Sequence, residues 1–169
     1  GASMCCVKNS KSYDTTMGLT PLDGLVMGTR FGTIDPSIGL FLIRQGWDVN
    51  KVDNMFNKES GLKGFTNKND FRDVNELAKS GDNNAKLVLD MFKNRIANYI
   101  ASYANELENH IDAIVFTAGI GENATPSVLD ILNRVKVLNI DINNEVVNTS
   151  YGDYRLISKP SSTLAIYQV

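Results

Sequence analysis

Three short stretches of this 169-residue chain combine residue types suited to a charged ligand. In Met27–Gly32 (MGTRFG), Arg30 stands between Gly28 and Gly32 inside an otherwise apolar segment. A guanidinium is a rigid, permanently charged fork that matches phosphate or carboxylate. Either Arg30 meets such an anion, or a carboxylate such as Asp23 or Asp35 pairs with it. The second stretch, Asp70-Phe71-Arg72, places an acid, a ring and a guanidinium side by side. Those groups could hydrogen-bond a ribose and stack on a base; the alternative is an exposed charged loop with Phe71 tucked inward. The third is AIVFTAGIGENAT, residues 113–125, where an apolar run ends in a glycine turn before a new helix. Glycines let backbone approach a ligand, and unpaired N–H groups at a helix start favour anions. The spacing nevertheless matches neither G-x-x-x-x-G-K-[ST] nor G-x-G-x-x-G. On its own the turn reads first as an ordinary β–α connection and only second as a ligand loop.

Composition narrows the classes. Net charge is −2 with no Lys/Arg block, so the electrostatic footprint of a nucleic-acid binder is missing. The apolar runs fall well short of the roughly 18–20 residues that span a bilayer, and no membrane partner is expected. At 43% hydrophobic, the chain is large enough for a core without metal or disulfide support. Cys5 and Cys6 are adjacent and would point to opposite faces of a strand, so no bridge joins them, and they read as two buried thiols in a reducing cytoplasm. His110 is the single histidine and has no metal-ligand spacing around it; it is expected near a helix C-terminus.

The elements that must position these residues follow from pattern. Ser3–Lys8 and Lys11–Thr16 read as a β-hairpin turning at Asn9-Ser10. Residues 17–36 hold four glycines and two prolines among apolar residues, which predicts an irregular, partly buried loop. Helices are expected over Ser37–Gln45 and Asn50–Asn57, and a polar, glycine-punctuated connection over residues 58–81. From Asp82 to about Asn109, Ala85, Val88, Phe92, Ile96, Tyr99, Tyr103 and Leu107 recur every three or four residues, the mark of one long helix. Ile111–Thr117 is continuous and β-branched, as in a central strand covered on both faces. Thr125 and Pro126 supply an N-cap and an N1 proline for a helix to Val135, and Tyr154–Ser158 and Leu164–Val169 read as strands. Together these predict an α/β fold, a mixed sheet with flanking helices.

Taken jointly, the stretches resemble one known family. TTMGLTPLDGLVMGTRFGTIDP is similar to the signature of acetate kinases, FTAGIGEN resembles their FTGGIGEN adenosine loop, and NDFRD lies where they carry an Asp-x-Arg nucleotide contact. The resemblance runs over essentially the whole chain. It implies an actin/hexokinase-like (ribonuclease H-like) ATPase domain and a phosphotransferase acting between ATP and acetate, or acetyl phosphate and ADP. A propionate or butyrate kinase is the alternative within the superfamily, and a non-catalytic dimerisation module the alternative outside enzymes. It further implies that Arg30 stabilises the transferring phosphoryl group as the catalytic residue. Asp70, Phe71 and Arg72, with Gly119, Ile120, Gly121, Glu122 and Asn123, would contact the adenine nucleotide. Ala118 departs from the family, which has glycine there.

The resemblance also places Gly1 inside a phosphate-loop segment whose asparagine is not in the chain, and a magnesium-linked glutamate beyond Val169. The carboxylate pocket, a second arginine, a histidine and a catalytic aspartate belong to an N-terminal domain. The expectation is therefore that residues 1–169 are most of a C-terminal domain, inactive alone, from a cytoplasmic homodimer using ATP/ADP and Mg2+.

Overall fold

The computed structural model describes all of residues 1–169. The chain forms two compact units, Gly1–Ile96 and Ala97–Val169.

In the first unit, β1 (Cys5–Lys8) and β2 (Lys11–Thr15) make the expected antiparallel hairpin, with a bulge between Cys6 and Val7. Asn9 and Ser10 both take positive φ, 54° and 60°, as a two-residue turn that follows strand twist requires. The expectation of two buried thiols is corrected for Cys5, which is exposed while Cys6 is buried, because neighbours in a strand face opposite sides. Residues 17–36 form no regular helix or strand, and Leu25, Val26 and Met27 are buried at their centre. Arg95 secures this loop from below, its Nη1 donating to the carbonyls of Gly24 at 3.1 Å and Phe31 at 3.2 Å.

The helices that follow are α1 (Ser37–Arg44), α2 (Val49–Lys58), α3 (Gly61–Thr66) and α4 (Phe71–Lys79). The last two correct the expectation of an irregular polar connection over 58–81. Ser60 and Asp70 stand at their N-caps, and the Asp70 side chain accepts from the Arg72 N–H. Short capped helices of six and nine residues escape a periodicity reading because they show too few turns to repeat. The long helix α5 spans Asn83–Glu106, with Ala85, Val88, Phe92 and Ile96 among its buried residues. His110 lies just past its end, its N–H donating to the Leu107 carbonyl at 2.8 Å.

The second unit is built on a three-stranded mixed sheet. β3 (Ala113–Phe116) pairs parallel with β5 (Ala165–Gln168), which pairs antiparallel with β4 (Arg155–Leu156). The expectation of a central, doubly covered β3 is corrected. β5 holds the centre, with Ile166 and Gln168 fully buried, while β3 is an edge strand whose Val115 is 52% exposed. The β3 run alternates after all: Ile114 and Phe116 are half-buried against the core, and Ala113 and Val115 face outward. After β3 come α6 (Ala118–Asn123) and α7 (Thr125–Arg134). The core joins Val128 and Leu132 of α7 to Val147, Ile157, Leu164 and Ile166.

Candidate functional site

The turn that carries Arg30 is held by backbone. Its Met27 N–H donates to the Arg30 carbonyl at 2.9 Å. Ser60, Leu62 and Lys63, around the start of α3, donate their N–H groups to the carbonyls of Thr29, Met27 and Gly28 at 3.0, 2.9 and 2.9 Å. These are the donors a helix start leaves without intrahelical partners. Gly61 makes the approach possible, at φ +61° and with a hypothetical Cβ only 2.0 Å from the Met27 carbonyl oxygen. Gly28 in turn backs onto Asn69, the residue before Asp70, so the MGTRFG and NDFR stretches adjoin.

On this frame the Arg30 side chain is half-buried. Its only bonds are weak, from Nη1 to the Pro21 carbonyl at 3.4 Å and the Met27 Sδ at 3.9 Å. Neither acid considered as its partner pairs with it. Asp23 accepts from the Thr33 hydroxyl at 2.6 Å and the Gly24 N–H at 2.8 Å, and Asp35 accepts from the Ser37 N–H at 2.8 Å. The charge of Arg30 is therefore uncompensated by a carboxylate. Gly1 lies beside it, a Cβ there falling 3.8 Å from Nη1.

Asp70 and Arg72 pair with each other as a fork, Nε to Oδ1 at 3.1 Å and Nη2 to Oδ2 at 2.7 Å. These bonds, then the Arg72 backbone N–H, hold the Asp70 carboxyl down at about 2. Its partner Arg72 is pushed up by the same contact. The pair is solvent-exposed, so it orders the α4 start more than it stabilises the fold. Phe71 corrects the base-stacking reading: it is 8% exposed and lies 5.2 Å, ring to ring, from Phe92. Its ring packs inward and anchors the two charged neighbours.

In the second unit, the AGIGEN stretch folds as α6, not as an open loop. Its two glycines differ. A Cβ at Gly121 would meet the Phe116 carbonyl carbon at 2.6 Å, so this glycine lets α6 fold back on the end of β3. Nothing lies within 4 Å of a Cβ at Gly119, which is exposed and open to a ligand's approach. Ala118 takes φ +58°, a left-handed conformation in which its methyl is strained. Glu122 and Asn123 are exposed at the rim of a cleft of about 790 Å³, whose other walls include Thr125, Asn148, Tyr151 and Arg155.

Two residues at this cleft were missed in the sequence. Arg155 is 6% exposed with no acid beside it, and Gln168 is fully buried. Arg155 Nη1 donates to the carbonyls of Val146, Val147 and Thr149 at 3.2, 2.8 and 2.6 Å. Its Nη2 donates to the Thr125 hydroxyl at 3.1 Å and the Gln168 Oε1. Thr125 is thus not the N-cap expected: Ala124 occupies that position without a side-chain bond, because the Thr125 hydroxyl is committed to this network. The available signal was the alternation Leu164, Ile166, Gln168, which put a polar amide in an inward series.

The first unit's arginine, without a carboxylate partner on a glycine-dependent loop, suits an anion, and the second unit is a mixed-sheet α/β arrangement with a polar cleft beside a strand–helix turn. Comparison with known proteins makes this specific. The model of the acetokinase family matches residues 1–169, and the chain belongs to that family. It is 47% identical over its whole length to an acetate kinase of Mesoplasma florum and 42% identical to one of Mycoplasmopsis pulmonis. It spans 43% and 44% of the lengths of those relatives. The crystal structure of Porphyromonas gingivalis acetate kinase superposes with a TM-score of 0.92 at 33% identity, over 100% of this chain and 43% of that one. A propionate kinase from Francisella tularensis gives 0.87 at 43% identity, over 97% and 42%. The fold is the actin/hexokinase-like α/β fold of these neighbours.

In the first unit Arg30 is left without a carboxylate partner, and in the second the cleft is lined mostly by polar side chains. Magnesium does not find a cage here, since no three His, Cys, Asp or Glu side chains converge. No helix is long and apolar enough to cross a membrane.

Replacing Ala118 by glycine removes the left-handed penalty, roughly 1–2 kcal/mol, while adding about 0.5–1 kcal/mol of unfolded-state entropy. A net stabilisation of about 0.5–1 kcal/mol is expected in urea unfolding. Because Asp70 is depressed to about 2, its contribution to the α4 cap is fully present above the ordinary carboxylate range and lost as pH falls through about 2. Carbon-detected NMR titration should place its midpoint there in the native chain, and Arg72→Ala should move it back up.

Proposed function

We propose that this chain is the nucleotide-binding portion, most of a C-terminal domain, of a cytoplasmic acetate kinase. The whole protein would transfer the γ-phosphoryl of ATP to acetate, or the phosphoryl of acetyl phosphate to ADP. The observation that carries the reading is Arg30: half-buried, carried on a turn held by backbone bonds and without a carboxylate partner. A half-buried arginine with neither an acid nor a full set of dipole acceptors is costly unless an anion meets it. Phosphoryl transfer spreads charge over three equatorial oxygens while attacking and leaving oxygens stay in line. A fixed guanidinium needs no reorganisation to stabilise that charge.

Other residues divide the binding work. The Asp70–Arg72 fork offers charged groups at a preset α4 start, and the Gly119–Asn123 backbone is the nucleoside side. Magnesium, when bound with the nucleotide, would neutralise phosphate charge. The propionate kinase neighbour leaves acetate and propionate as the acceptors to be compared.

In the full-length protein, Arg30→Ala should lower the ATP–acetate rate constant by about 100-fold to 1000-fold, with little change in ADP affinity. Steady-state assays on acetate and propionate check this, with acetate preferred. Full activity in Arg30→Ala would overturn the assignment. The 169-residue chain alone should bind ADP in calorimetry without turnover.

The same reading includes a homodimer. Helix α1 has no buried residue, and Ile38, Leu40, Phe41 and Ile43 are 42%, 56%, 58% and 44% exposed. A helix apolar on all sides is expected to be covered. Sedimentation should show a dimer for the native chain and a monomer for Phe41→Glu, with the native circular dichroism spectrum retained.

A further inference from the structure

Helix α6 has six residues, too few to hold its shape alone in water. Its backbone carbonyls at the C-terminal end must find donors outside the helix ladder. Each has one. The Gly119 carbonyl accepts from Asn123 Nδ2 at 3.0 Å, and that of Ile120 accepts from the Ala124 N–H at 3.0 Å. The Gly121 carbonyl accepts from Gln168 Nε2 at 2.7 Å, and that of Glu122 from the Tyr151 hydroxyl at 2.9 Å.

The two long-range donors share one support. Arg155 donates to the Gln168 Oε1, which fixes the amide so that its NH2 faces Gly121. The Arg155 guanidinium also sits over the Tyr151 ring, 4.5 Å from its centroid. Its other bonds go to the carbonyls of Val146, Val147 and Thr149, so it cannot turn toward solvent without abandoning three acceptors.

We propose that Arg155 and Gln168 are positioning residues that set the orientation of α6, and through it the open backbone at Gly119, for nucleotide binding. The inference rests on the nucleoside-side reading above and names the residues that make that surface rigid. Neither side chain needs to touch the nucleotide. Their substitution should loosen α6 locally and weaken binding, without loss of the core under α7.

The test is Gln168→Glu, which keeps an acceptor for Arg155 but places an oxygen against the Gly121 carbonyl. Gln168→Met is the uncharged control of similar shape, should the glutamate variant fail to fold. Amide hydrogen exchange and ADP calorimetry are read on the same samples. Expected are faster exchange confined to residues 119–124, unchanged protection at 128–132 and 164–166, and ADP affinity lower by about fivefold to tenfold. Arg155→Lys should act in the same direction, because an ammonium cannot serve five acceptors from two fixed nitrogens.

Unchanged exchange at 119–124, or loss of protection spread through the whole unit, overturns the positioning role. Local loosening with unchanged ADP affinity also overturns it. If exchange responds as expected but the native protein binds no ADP, the nucleotide reading falls while the positioning of α6 stands.

Discussion

At Gly61 a Cβ would stand 2.0 Å from the Met27 carbonyl oxygen, and at Gly121 another would stand 2.6 Å from the Phe116 carbonyl carbon. In both places backbone lies on backbone with no room for a methyl group. The first contact lets the start of α3 feed three N–H groups into the carbonyls of the Arg30 turn. The second lets α6 reverse onto β3, so that Glu122 and Asn123 at its end reach the rim of the second unit's cleft. Glycine therefore serves the two sites by close packing more than by flexibility. Rigid backbone is what allows a single arginine, or a single exposed peptide, to present fixed geometry to a ligand.

Three arginines show how environment assigns role. Arg72 is exposed and paired with Asp70, which ties up its charge in a surface fork and fixes the first turn of α4. Arg155 is buried and surrounded by carbonyl, hydroxyl and amide oxygens, so its charge is dissipated over dipoles and its effect is structural. Arg30 has neither an acid nor a full set of dipoles around it. Among the three it has the fewest partners for its charge. Residue type is the same in all three; partners decide which is available for chemistry.

Local regularity was legible where an element is long or its turn chemistry strong. The hairpin at Asn9-Ser10, the irregular loop before α1 and the 24-residue helix α5 all carry patterns that repeat or punctuate. Helices α3 and α4 were not legible, since α3 depends on backbone contacts with the Arg30 turn and α4 on the Asp70 cap. The glycine turn of residues 118–121 was visible, yet its fold as a helix was not, because six residues contain no full apolar period. β3 read as central because an apolar run does not reveal which strand lies on each side of it.

By itself, the sequence determined the family, the α/β class and the residue types available for phosphate: motif spacing and side-chain chemistry are local properties and survive without coordinates. Tertiary structure alone decided that Arg30 has no carboxylate partner and that Phe71 turns inward onto Phe92. It also decided that Gly121 is a packing contact while Gly119 stays open, and that Arg155 and Gln168 meet across 13 residues of chain. Those outcomes depend on which distant groups arrive at each position. Pairing, burial and the satisfaction of backbone carbonyls are settled only when strands and helices pack, and no single stretch contains that information.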